Sequence, residues 1–264
     1  MMLQHRFIDT VRANPDKLAI IDRTTGRDVT YSRALIAALI LARRFRQVER
    51  GRIGIMLPTS AGGALAILGA IFAGQTPVMI NYSTGAEKNC LYAQQKCDFR
   101  KIITARALLE KTGCAELPDM VFIEDILENL SRPEQLLALI KSKMPTSWLK
   151  RISGSHDLNK PAVVLFTSGS EKEPKVVQLT QKNLLSNIDS FSGMMNIYGM
   201  DNLLAVLPYF HVFGQTINLW TPLCLGMTSI TYSNPLEFKT VAKIIKEDRP
   251  SLLVGTPLFL EGYA

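Results

Sequence analysis

Along the chain, short runs of consecutive apolar residues alternate with segments whose apolar positions recur at helical spacing. LAIID, IGIMLP, TPVMIN, RKIIT, MVFIED, AVVLFT, NLLAVLP, SITY and SLLVGTP read as strands, because each is short, rich in Ile, Val and Leu, and closed by a turn residue or a charge. Between them, residues 6–13, 31–48, 64–72, 88–96, 107–111, 181–195 and 238–248 carry helical periods. A further apolar helix follows His211. Thr30 stands where an N-cap belongs. Continuous apolar strands alternating with helices predict an α/β fold of mostly parallel sheets flanked by helices, in αβαβα layers. The interval 139–160, LIKSKMPTSWLKRISGSHDLNK, is polar, basic and aperiodic, and reads as a boundary. It divides the chain into an expected first lobe with linker, residues 1–155, and a second lobe, residues 156–264.

Charge changes one part of this picture. No charged residue lies between Arg52 and Glu87, and AGGALAILGAIFAG within that stretch is strongly apolar. Pro58, Pro77 and several glycines cut it into pieces shorter than the ~20 residues a membrane span needs, so it reads as strand, buried helix, strand. Hydrophobic residues make up 47% and charged residues 20% of the 264, enough for a sizeable core. The net charge of +7 suits an acidic partner. The basic residues are scattered and no nucleic-acid motif accompanies them. Cys90, Cys97, Cys114 and Cys224 show no CxxC spacing, which argues against a zinc site or a disulfide framework and for a reducing cytoplasmic setting. Lys141, Lys143, Lys150 and Arg151 beside Trp148 leave either a solvated linker or a peripheral membrane contact.

Three predicted strand ends carry unusual chemistry, and ligands of parallel sheets gather at such ends. In TSGSEKEPK, Thr167, Ser168 and Ser170 offer hydroxyls, Gly169 lets backbone amides approach an anion, and Lys175 brings a positive charge past Glu171 and Pro174. No GxxxxGK[ST] occurs, which excludes a Walker loop; a phosphate cradle and a Ser-rich surface turn both remain open. In LPYFHVFG, Tyr209, Phe210 and Phe213 surround His211, a contact for carboxylate or phosphate, an aromatic gate, or a histidine satisfied at a helix start. Gly255, Thr256 and Pro257 close the last strand.

Taken in order, these segments resemble the AMP-forming adenylating enzymes, a family that includes acyl-CoA synthetases and luciferases. Thr167 to Lys175 is similar to the family's [ST]-S-G-[ST]-[TSE]-G-x-P-K-G loop, Tyr209–Phe210–His211 to its aromatic-His segment, and Gly255–Thr256–Pro257 to a later turn. The branch it most resembles is the AMP-ligase part of bifunctional acyl-ACP synthetase/2-acylglycerophosphoethanolamine acyltransferases, through FTSGSE, LPYFHVFG and the N-Y-x-x-G after the uncharged stretch. The resemblance implies a ligase that makes an acyl-adenylate from a long-chain fatty acid and Mg2+-bound ATP, then passes the acyl group to acyl carrier protein or CoA. It implies that Thr167, Ser168, Gly169, Ser170, Glu171 and Lys175 hold phosphates. His211 would lie beside the reacting carboxylate, and Tyr209, Phe210, Phe213, Gly255 and Thr256 would meet substrate. The family's Y-G-x-T-E segment, with its magnesium-holding Glu, has no match in the 264 residues, so the expectation is an N-terminal portion of such an enzyme. Lys172 and Val176 replace two family glycines. If either position needed positive φ, the substitution would cost on the order of 1 kcal/mol or more, and a binding module without turnover is the alternative reading.

Overall fold

The computed structural model describes residues 1–167 and 173–264. Its eleven strands are β1 (Leu18–Asp22), β2 (Arg27–Thr30), β3 (Arg52–Ile55), β4 (Thr76–Met79), β5 (Ile102–Thr104), β6 (Met120–Phe122), β7 (Pro161–Thr167), β8 (Lys175–Thr180), β9 (Asn202–Ala205), β10 (Thr228–Thr231) and β11 (Leu252–Leu253). They form two sheets, ordered β11-β9-β10-β1-β2 and β6-β5-β3-β4-β7-β8. Every pairing is parallel except the two edge hairpins, β1–β2 and β7–β8. The predicted α/β class and the mostly parallel sheets are those observed.

The sheets divide the chain differently from the expected boundary at 155/156. β1 and β2 belong with β9, β10 and β11, while β7 and β8 complete the sheet begun by β3. Local pattern shows that a run is a strand; it does not show which strand lies beside it. The interval 139–160 is also more ordered than expected, since helices Arg132–Ser142 and Thr146–Ile152 occupy much of it. Strands β2 and β8, which the apolar pattern passes over, are edge strands with largely exposed or half-buried residues.

The uncharged stretch is the centre of the packing. Helix Ala61–Ala73 is buried nearly all round, and it shares one core with Ile20 of β1, Ile55 of β3, and Val163 and Leu165 of β7. A Cβ on Gly69 would come within 2.6 Å of the Leu41 Cβ, so this glycine permits helices Tyr31–Val48 and Ala61–Ala73 to pack backbone to backbone. The segment is apolar because protein surrounds it; no helix among the described residues is long and apolar enough to cross a membrane.

Candidate functional site

The carboxyl edges of the two sheets meet at a buried joint. The Asp22 carboxylate, at the end of β1 and 1% exposed, accepts hydrogen bonds from the Thr24 amide (2.9 Å) and the Thr25 hydroxyl (3.0 Å). It also accepts from the amide of Ala61 at 2.9 Å, the first residue of helix Ala61–Ala73, which follows β3 of the other sheet. A carboxylate there meets unpaired helical N–H groups and the positive end of the helix dipole. The Ser60 hydroxyl accepts from the Gly63 amide at 3.2 Å and completes the cap. The Thr59 hydroxyl donates to the Leu207 carbonyl, just past β9, at 3.3 Å.

Aromatic rings continue the joint outward. Tyr82, which follows β4, packs edge-on against Phe210 with centroids 5.0 Å apart, and Phe210 lies 4.6 Å from the His211 ring. Burial pushes the Tyr82 phenol up to about 12. Tyr209 is fully enclosed and its hydroxyl has no hydrogen-bond partner among the described residues. Burial, with Asp22 and Tyr82 nearby, raises its pKa far above the usual tyrosine value. Tyr209 and Phe210, expected to meet substrate, are both buried in the core and fix the segment that carries His211. His211, Val212 and Phe213 are the exposed part of that segment. Partial desolvation lowers the His211 pKa, which favours a neutral imidazole at pH 7.

A π-helical segment, Gly214–Trp220, follows directly and is entirely buried. Such segments recur at functional sites. Both amide atoms of Gln215 and the indole N–H of Trp220 lack hydrogen-bond partners among the described residues. Trp220 lies in the core, leaving Phe213 as the exposed aromatic of this region.

On the other sheet, Thr167 ends β7 opposite Lys175, the first residue of β8. The loop therefore springs from a β-hairpin with a hydroxyl and an ammonium side by side at its base. Ser168, Gly169, Ser170, Glu171 and Lys172 lie outside the described residues. Helix Ala86–Cys97 braces the returning arm: the Tyr92 hydroxyl donates to the Pro174 carbonyl at 2.7 Å, and Lys96 lies 3.4 Å from Glu173. Val176 of β8 pairs with Phe166 of β7 and is not among the residues with positive φ. The strain that a valine would bring to a left-handed position does not arise, because extended backbone favours β-branched side chains.

β11 lies beside β9, so Gly255 and Thr256 leave the same edge as the His211 segment. Thr256 is exposed at the start of helix Pro257–Tyr263, and its side chain does not cap that helix. The topology thus brings all three predicted strand ends to the meeting edges of the two sheets. The pattern gave no role to Asp22, Tyr82 or Tyr92; a lone acid closing LAIID was the one signal available for Asp22. No group of three or more His, Cys, Asp or Glu suited to a metal occurs among the described residues. An open depression of about 660 Å³ lies between helices Ala86–Cys97 and Arg106–Thr112 and is lined in part by Tyr92.

Two layered, mostly parallel sheets thus carry Thr167, Lys175, His211 and Thr256 at their carboxyl edges, which defines an α/β protein with its polar groups gathered at strand ends. The chain matches the AMP-binding enzyme family over residues 7–263 and belongs to it. It is 27% identical to a long-chain-fatty-acid–CoA ligase of Bacillus subtilis, in an alignment covering 98% of this chain and 51% of that protein. It is 28% identical to a medium-chain fatty-acid–CoA ligase of Escherichia coli over 84% of this chain and 40% of the relative, so it spans about half the length of such proteins. Among solved structures, o-succinylbenzoate CoA synthetase from Bacillus subtilis, in complex with its acyl-adenylate intermediate, shares the fold with a TM-score of 0.78 at 17% identity. That match covers 97% of this chain and 62% of the other. The N-terminal domain of FACL13 from Mycobacterium tuberculosis matches with a TM-score of 0.80 at 17% identity, covering 99% and 64%.

Proposed function

We propose that this chain carries the nucleotide- and acyl-binding portion of an ATP-dependent fatty-acid ligase. The observation that carries the reading is the pairing of Thr167 with Lys175 at the base of a hairpin, on the edge where the His211 segment of the other sheet also emerges. Family membership supplies the reaction class. In this reading the hairpin loop and Lys175 hold the β- and γ-phosphates of ATP. The fatty carboxylate attacks the α-phosphorus, an acyl-adenylate forms and pyrophosphate leaves; a thiol then takes the acyl group and AMP departs. The protein's part is positioning and charge stabilisation. Neutral His211 donates or accepts a hydrogen bond beside the reacting carboxylate, and exposed Phe213 flanks the acyl chain. Gly255 and Thr256 border the nucleotide from the neighbouring strand end. Magnesium fits as a cation brought by the triphosphate, since the described residues provide no acidic cluster for it. CoA is the acceptor favoured by the relatives, both CoA ligases; acyl carrier protein is the other thiol of matching chemistry.

The test is long-chain fatty-acid-dependent ATP–pyrophosphate exchange, measured beside ATP binding by calorimetry. It should be run on the 264-residue chain and on its reading frame extended to the stop codon. Exchange requiring the fatty acid, in either form, supports the ligase. ATP binding with no exchange in both would leave a nucleotide-binding module, and absence of both activities would overturn the reading.

A further inference from the structure

Helix Arg132–Ser142, RPEQLLALIKS, is packed with its apolar residues on the wrong side for a core helix. It rests on helix Tyr31–Val48, where Arg44 pairs with Glu134 at 2.6 Å. The residues turned inward are small: Ala138 is 4% and Ser142 5% exposed. The large residues point outward, with Leu136 57%, Leu139 43% and Ile140 53% exposed and Leu137 at their flank. A surface helix ordinarily buries its leucines and exposes its short polar residues. Contiguous large aliphatic side chains on an exposed helix mark a surface that something covers.

The charges around it indicate what covers it. From Ser131 to Ile152 the chain has five basic residues, Arg132, Lys141, Lys143, Lys150 and Arg151, against one acid, Glu134. Glu134 is held by Arg44, with Arg43 3.8 Å away, and Lys150 by Asp9. Arg132, Lys141, Lys143 and Arg151 form no ion pair among the described residues. An aliphatic ridge with a basic border is complementary to a surface that is apolar beneath and negative on top. A second copy of this chain fits less well, because a two-fold contact would set the same basic border against itself.

We infer that helix Arg132–Ser142 is a docking face for an anionic phospholipid bilayer, with Leu136, Leu139 and Ile140 entering the headgroup–acyl boundary and Lys141 and Lys143 meeting lipid phosphates. The contact is peripheral, as no helix among the described residues can span a membrane. This goes beyond the proposed ligase and stands on different residues, so either can fail alone. If both hold, the face keeps the protein at the phase where long-chain fatty acids concentrate.

The experiment is co-sedimentation of the 264-residue chain with vesicles of equal parts phosphatidylglycerol and phosphatidylcholine, and with pure phosphatidylcholine. Size-exclusion chromatography is run in parallel. Binding is expected to the anionic vesicles, weakening as salt rises. The triple variant Leu136→Gln, Leu139→Gln, Ile140→Gln should bind at least about tenfold more weakly, as should Lys141→Glu with Lys143→Glu. Leu136, Leu139, Ile140 and Lys143 are exposed and Lys141 is half-buried, and an unchanged urea midpoint shows that the variants fold. No binding to anionic vesicles overturns the inference. So does binding that survives the triple variant, which would reduce the effect to net charge. Concentration-dependent dimers abolished by the triple variant, with no vesicle binding, would assign the face to a second copy instead.

Discussion

The buried joint and the exposed rim of the candidate site follow opposite rules. In the joint, Asp22, Tyr209 and Phe210 are almost wholly enclosed, and each is fixed by neighbours from the other sheet. On the rim, Thr167, Lys175, His211 and Thr256 are exposed to solvent. Groups that must meet a ligand stay exposed, while the groups that aim them are enclosed in a core that cannot shift without loss of packing. Substitutions in the joint should therefore act on stability, and substitutions on the rim on binding.

The largest effect should come from Phe210→Ala, which empties the contact between Tyr82 and His211. Its unfolding free energy should fall by about 3–5 kcal/mol in urea titration. A loss below about 1 kcal/mol would mean that the joint is not where the sheets are held together. Asp22→Ala should follow with a loss of about 2–3 kcal/mol, because buried amides at Thr24 and Ala61 lose their acceptor. Lys175→Ala should invert the pattern. Its stability should change by less than about 0.5 kcal/mol, while calorimetric affinity for ATP drops about 10–100-fold through loss of a charge-assisted contact. Should Lys175→Ala unfold the chain, the rim would be structural and the distinction would fail.

The smallest effect concerns pH and compares the rim with a helix outside both regions. His211 on the rim has a pKa lowered from 6.5 by partial desolvation. His5, on helix Leu3–Ala13, is lowered mainly by burial, with His156 and Lys150 opposing its charge. Below 6.5 the unfolded chain therefore binds more protons than the folded one. Stability should be full above that value and decline as pH falls towards the lowered folded values. His5→Gln and His211→Gln should each flatten this decline in urea midpoints measured from neutral to mildly acidic pH. An identical slope in both variants would remove the histidines from the account.

How much of this the sequence disclosed depends on where the determining contacts lie. Strands β3, β4, β5 and β7 were legible because burial on both faces leaves continuous apolar runs such as IGIM and AVVLF. Lys175 and His211 stand out as polar groups at the ends of those runs, and the roles proposed for them come from the family resemblance. β8 was not legible, since KVVQLT lies at a sheet edge and its residues are exposed or half-buried. Helix Arg132–Ser142 was missed for the reason that makes it informative: its leucines do not form an inward stripe. Asp22 and Tyr82 draw their roles from partners in the other sheet, which no local window contains.

The interleaving of the two sheets also sets a timetable for synthesis. Ile20 of β1 pairs with Ser229 of β10, roughly two hundred residues further along. At about 5–20 residues per second, a ribosome needs about 10–40 s to deliver that partner. Until then the β1–β2 hairpin presents an open apolar edge, and the contact is among the most non-local the chain makes. Newborn chains are thus exposed to mispairing at their first strand, and a chaperone that shields residues near Leu18 should raise the yield of folded protein more than one acting on later segments.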